Sequence, residues 1–171
     1  MLAEIWGVFR GWLSAGLNAI ASPIQRAQLP LFSTPEQIAD YLQSNCRYIP
    51  DTIDYSLHPQ RLQWIMTHQQ WQGITCDCDD YACWAYAALR SMQGCGPQLL
   101  TLAGRGVNEA HMICVYHRSL GSGRVEYGAI DTNGHHALTA LSQREINNHF
   151  NGLYRQQNIQ FTRAFPSPYP F

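Results

Sequence analysis

The sequence predicts an α+β fold in which a central, buried helix lies on an antiparallel β-sheet. Three observations carry that reading. Residues 78–92 are almost wholly helix-compatible, and their Ala, Trp, Tyr and Leu side chains leave little polar surface, as in a helix enclosed by its own domain. Beyond Gly94 and Gly96, which stop that helix, the apolar period shortens to two, the period of strands. Helices first and strands second, without strict alternation, favour an antiparallel sheet over a βαβ array. The chain of 171 residues is 46% hydrophobic and only 13% charged, which suits one domain with a real core and excludes intrinsic disorder.

Residues 1–30 read as an apolar helix followed by a linker. Ile5, Val8, Phe9, Trp12, Leu13 and Ile20 recur at helical spacing, so residues 1–22 present one apolar stripe, expected to pack on the domain or on a protein partner. Glu4 and Arg10 interrupt the run and no basic start precedes it, which speaks against a secretory signal or a membrane span. Few cations flank the stripe, so membrane contact is the less favoured use. Pro23 and Pro30 bracket the linker, residues 31–165 form the domain proper, and 166–171 are a Pro-rich tail.

Within the domain, Ser33, Pro35 and Glu36 have the form of a capping box opening a helix to about residue 45, with Ile38, Tyr41 and Leu42 on its buried side. A short helix is expected over 59–68, and the central helix over 78–92. Strands are expected over 98–103, 111–118 and 124–131, the last two joined by a hairpin at 119–123. Thr132-Asn133-Gly134 is a turn. Ser142 with Glu145 caps a helix to Phe150, and 158–163 reads as an edge strand.

Chemistry concentrates at Cys76-Asp77-Cys78-Asp79-Asp80-Tyr81-Ala82. Cys78 falls on the first turn of the central helix, where unpaired N–H groups and the macrodipole favour thiolate, the nucleophilic form. Asp79 and Asp80 would oppose a thiolate, so their side chains are expected to turn away into caps or structural hydrogen bonds. Cys76 precedes the helix and is the rival thiol; a strained Cys76–Cys78 oxidation would be its other use. Cys83, Cys95 and Cys114 read as small core residues. A thiol nucleophile needs a base and a group that orients the base. His111 opens one strand and shares a face with Ile113, Val115 and His117; Asp131 ends the next and shares a face with Val125, Tyr127 and Ala129. If both apolar sets pack on the central helix, His111 and Asp131 fall on the same side of the sheet. Gln72 is a candidate oxyanion donor, Trp71 a candidate pocket wall, and His117, His135 and His136 read as surface or rim residues.

Cys78-Asp79-Asp80-Tyr81-Ala82 at a helix start, His111 opening a strand and Ile130-Asp131 closing the next resemble the transglutaminase-like cysteine proteinase superfamily, with its papain-like fold, and in particular its small bacterial and bacteriophage members. The resemblance spans about residues 34–135, including Arg47-Tyr48 and Asp54. It implies Cys78 as nucleophile, His111 as general base and acid, and Asp131 as the orienting carboxylate. The chain departs from the family pattern where Cys76 replaces the commoner Gly before Asp-Cys, and where Met112 and Ile113 replace an aromatic after the histidine.

The expected function is therefore amide-bond hydrolysis, peptidase or amidase, or transglutaminase-type acyl transfer, on a peptide or protein and without a cofactor. A second reading is an inactive or structural domain of a bacterial or phage assembly docking through its N-terminal helix. A third is a metal site built from Cys76, Cys78, His135 and His136. A net charge of -1, with all 11 cations arginine, argues against a nucleic-acid partner. A cytoplasmic location is the default, with a virion-associated or exported protein as the alternative.

Overall fold

The computed structural model describes residues 27–49, 57–71, 74, 76–104 and 110–171. The expected helix over 1–22, most of its linker, Asp54 and Gln72 lie outside them. The described chain is α+β, with four α-helices and a five-stranded antiparallel sheet: α1 (Pro35–Asn45), α2 (Pro59–His68), α3 (Cys78–Arg90), β1 (Cys95–Gly104), β2 (Ala110–Ser119), β3 (Val125–Asp131), β4 (Gly134–Leu138), α4 (Gln143–Leu153) and β5 (Phe161–Pro166). A 3-10 turn, Arg155–Gln157, separates α4 from β5.

Local chemistry accounts for most of these boundaries. The capping box of α1 sits one residue later than the sequence suggested: Thr34 is the cap and Gln37, not Glu36, closes the box, its Oε1 accepting from the amides of Ser33 and Thr34. Asp77 caps α3, its side chain accepting from Asp79 N while Asp80 answers to the Asp77 amide, and Ser142 caps α4. β1 is longer than expected and starts at Cys95, so Gly96 lies in a strand and the stop to α3 falls at Ser91 and the turn through Gly94. β5 lies later than expected, and the 166–171 tail is no separate piece. β5 runs through Pro166, and Tyr169 stacks on Tyr86 at 4.5 Å as part of the core.

The strand order is β4-β3-β2-β1-β5, and helices cover both faces. On one face Leu99, Cys114, Tyr116 and Ile130 pack with α1, α2 and α3 around Ile38, Leu42, Ile65 and the fully buried Trp84, whose ring stacks on Tyr41. On the other, Leu100, Leu102, Ile113, Val115 and Ala129 pack with Ile146 and Phe150 of α4 and with Phe161. This corrects the expected face assignment. Ile113, Val115 and Ala129 do share a face, but it is turned toward α4; the Cys78 helix rests on the alternate residues. Among the described residues no helix is long and apolar enough to cross a membrane.

Gly128 marks a close approach within the sheet. It pairs with Tyr116, and a Cβ placed on it would stand 2.5 Å from the Tyr116 hydroxyl oxygen and 2.6 Å from Cζ. Tyr116 is fully buried and its hydroxyl donates to Glu126 Oε1 at 2.7 Å, so the ring has little room to yield. Gly128→Ala is therefore expected to destabilise the fold by about 1–3 kcal/mol, the usual range for overpacking, as measured by denaturant unfolding.

Candidate active site

Cys78 is the first residue of α3 and is half-buried, so its sulfur lies at the positive dipole end of a 13-residue helix. The carboxylates of Asp77 and Asp80 are committed elsewhere. Asp80, fully buried, accepts from the amides of Leu57 and Asp77, and Asp77 serves as the cap. For Asp80 that disposition agrees with the expectation that it would turn into structural hydrogen bonds. The Cys78 sulfur itself accepts from the backbone N–H of Met112 at 3.5 Å. Registered pairs between β2 and β3 begin at Cys114↔Ile130, so Met112 lies past the closed part of the ladder, where the strands part.

His111 precedes Met112 and points to the opposite face of the sheet, against Phe150, Phe161 and Tyr154. Its Nε2 lies 2.9 Å from Asp131 Oδ2. Asp131 is fully buried and collects five donors: His111 Nε2, His136 Nε2 at 2.7 Å, the Tyr154 hydroxyl at 3.0 Å, and both the backbone N–H and the side-chain amide of Asn133 at 2.8 and 3.3 Å. Burial by itself would raise the carboxyl pKa, but the hydrogen bonds and charges of His111 and His136 outweigh it and hold Asp131 well below the ordinary carboxylate range. An ionised carboxylate only accepts. Neutral His111 must then carry its proton on Nε2, which leaves the Nδ1 lone pair as its basic position.

Three of these partners escaped the sequence reading. His136, expected at the rim, is buried on β4, a strand the sequence reading left out. The alternation of buried Gly134, His136 and Leu138 with the more open His135 and Ala137 is the signal that would have found it. Asn133 belongs to the expected turn, where Gly134 at φ +116° supplies the left-handed step into β4. Tyr154, at the end of α4, also lies 3.0 Å from His111 Nε2. Its hydroxyl accepts from Asn133 Nδ2, and burial together with the Asp131 charge pushes its pKa up, so it stays protonated and donates to the carboxylate. Nothing local in the sequence announces it.

The remaining candidates separate. Trp71 lines an open cleft of about 590 Å³ with Ser44, Asn45, Cys46, Arg47 and Gln69. Cys78 is not part of that lining. Burial first, then the charges of Cys78 and Asp77, pushes the Tyr48 hydroxyl pKa up. Cys76 is fully buried with its sulfur against Cys46, and that hydrogen bond, with burial, drives its pKa far above the ordinary thiol range. Burial does the same to Cys83 and Cys114, and pushes Cys95 up to about 11. The metal alternative is overturned by side-chain partners. Cys76 faces Cys46, His136 faces Asp131, and His135 meets Tyr116 and Glu36, so the four supposed ligands are not gathered at one point.

Because the folded pKa of Asp131 is depressed, its ionisation stabilises the fold above the unfolded value, near 3.8, and that contribution is lost as pH falls through the lower folded value. Asp131→Asn is therefore expected to be less stable than wild type by about 3 kcal/mol near neutral pH, as for a broken buried pair. The difference should shrink steadily below about pH 4 in urea titrations run across the acid range. No protein-family model, curated protein or solved structure matches the chain.

Proposed function

We propose that the protein is a cysteine-nucleophile amide hydrolase or acyl transferase of the papain/transglutaminase-like kind, with Cys78, His111 and Asp131 as its catalytic triad. The observation that carries this reading is the junction at residues 111 and 112. The amide of Met112 touches the Cys78 sulfur, while the preceding His111 is bound through Nε2 to a buried carboxylate. His111 Nδ1 takes the Cys78 proton, and the thiolate attacks the substrate carbonyl carbon. The positive end of the α3 dipole, where Cys78 sits, favours the developing oxyanion. His111 then passes its proton to the leaving amine, giving an acyl-enzyme and a free amine. Water, or a second amine, attacks the thioester while Nδ1 accepts its proton, and Cys78 leaves as the thiolate. Throughout, Asp131 stabilises the imidazolium and fixes its ring, with His136, Tyr154 and Asn133 holding Asp131 in turn.

The test begins with thiol reactivity. At neutral pH iodoacetamide is expected to label Cys78 at least about tenfold faster than any other thiol, given the burial of Cys76, Cys83 and Cys114. His111→Ala should slow that labelling, and Cys78→Ala should abolish it. Slow, equal labelling of several thiols in the wild type would sink the enzyme reading. Hydrolysis of a peptide library, run beside incorporation of a fluorescent primary amine into a glutamine peptide, then distinguishes water from amine as the acceptor. Either triad substitution is expected to lower turnover by about 10³-fold or more. Tyr154→Phe removes one hydrogen bond to a charged group, a loss of about 1.5 kcal/mol, so kcat should fall about tenfold with KM unchanged.

A further inference from the structure

The fold brings a second pair of sulfur atoms together outside the triad. Cys46 ends α1 as its cap, with its amide bound to Leu42 O at 2.7 Å. Cys76 sits in an isolated antiparallel bridge with Ile49, each amide donating to the other's carbonyl, at 2.7 and 2.9 Å. The two backbones are thus fixed independently, one by a helix end and the other by a bridge, and their sulfurs meet at 2.7 Å across 30 positions of sequence. Cys46 also lines the open cleft with Arg47 and Trp71, so a small oxidant can reach it while Cys76 stays enclosed.

We infer that Cys46 and Cys76 form a disulfide that staples the end of α1 to the segment leading into the Cys78 helix. The co-reactant is a low-molecular-weight disulfide such as oxidised glutathione. Cys46 thiolate attacks one of its sulfurs, expelling one glutathione thiolate and leaving a mixed disulfide on Cys46. Cys76 then gives up its proton and attacks the Cys46 sulfur, expelling the second glutathione. Two electrons pass to the glutathione disulfide, and the two protein thiol protons end on two glutathione thiols. The link replaces the Cys76–Cys78 pairing considered from sequence. Two cysteines separated by one residue close a strained ring, whereas Cys76 already contacts Cys46, and the Cys78 sulfur is turned to the Met112 amide. Stapling therefore leaves Cys78 outside the link.

The full-length protein is reduced, desalted, exposed to excess oxidised glutathione, alkylated with iodoacetamide and mapped by mass without reduction. A peptide joining Cys46 to Cys76, with Cys78 outside the link as an alkylated or glutathionylated residue, is expected. The same link should form in Cys78→Ala protein, which makes the result independent of any amide chemistry. Recovery of Cys46 and Cys76 as separate alkylated or glutathionylated residues, or a Cys76–Cys78 link, overturns the inference. Closing a loop of this length should raise the melting temperature of oxidised over reduced protein by about 5–10 °C. Cys46→Ser, a small change at a half-buried position, should erase that difference and Cys95→Ser should keep it. Equal melting of oxidised and reduced wild type would remove the stapling role.

Discussion

The charge on Asp131 is the constraint to which this end of the molecule is built. A carboxylate with no exposure to water costs several kcal/mol unless its lone pairs are filled, and here they are filled from three separate elements: β2 through His111, the β3–β4 turn and β4 through Asn133 and His136, and the end of α4 through Tyr154. Each element is thereby held against the others by the same oxygens. The docking of α4 on the sheet follows from this as much as from Phe150 and Ile146, because Tyr154 delivers its hydroxyl only when α4 lies where it does. The chemical consequence is a fixed tautomer. Two neutral imidazoles that both donate to one anion each hold their proton on Nε2, so the fold itself leaves Nδ1 as the basic position of His111.

A sheet covered on both faces poses a geometric problem for a triad, since alternate residues of a strand point to opposite sides. Cys78 belongs to the helix packed on one face, whereas His111 and Asp131 lie on the other. The proposed triad requires them to meet where the β2–β3 ladder ends. β2 and β3 part beyond Cys114↔Ile130, and the amide of Met112, outside the β2–β3 ladder though paired with Thr101 of β1, is the contact between the Cys78 helix and the strand that carries His111. The open end of the ladder is thus the condition for a site, and lengthening the β2–β3 pairing by two residues would compete with the thiol for that amide.

What was legible in the sequence divides along physical lines. Asp77 as the cap of α3 was not read from the sequence, whereas helix α3 and the hairpin strands were readable because apolar periods and turn residues are local. So was the approach of His111 to Asp131, since hairpin connectivity alone sets the start of one strand beside the end of the next. The orientation of the sheet was not. A period of two says that Ile113, Val115 and Ala129 share a face but not which helix covers it, and α4 covers it because Ile146 and Phe150 offer a second apolar surface. Tyr154 reaches His111 across 43 positions through a helix end with no motif of its own, so only the assembled fold reveals it.

The segment Cys76-Asp77-Cys78 shows how one short stretch separates two kinds of sulfur chemistry. Cys76 is still extended, paired to Ile49 and turned inward, so desolvation and the Cys46 contact suppress its thiolate. One residue of cap later the chain is helical, and Cys78 emerges half-buried at a dipole end that favours the thiolate. Asp77 is what allows the change of environment over so short a distance. Its side chain satisfies an amide of the first turn, and its own amide is answered by Asp80, so the helix can begin abruptly without leaving donors unpaired. The bridge to Ile49 holds the chain on one side of that cap and α3 holds it on the other. Any covalent tie at Cys76 therefore bears directly on how firmly Cys78 is placed.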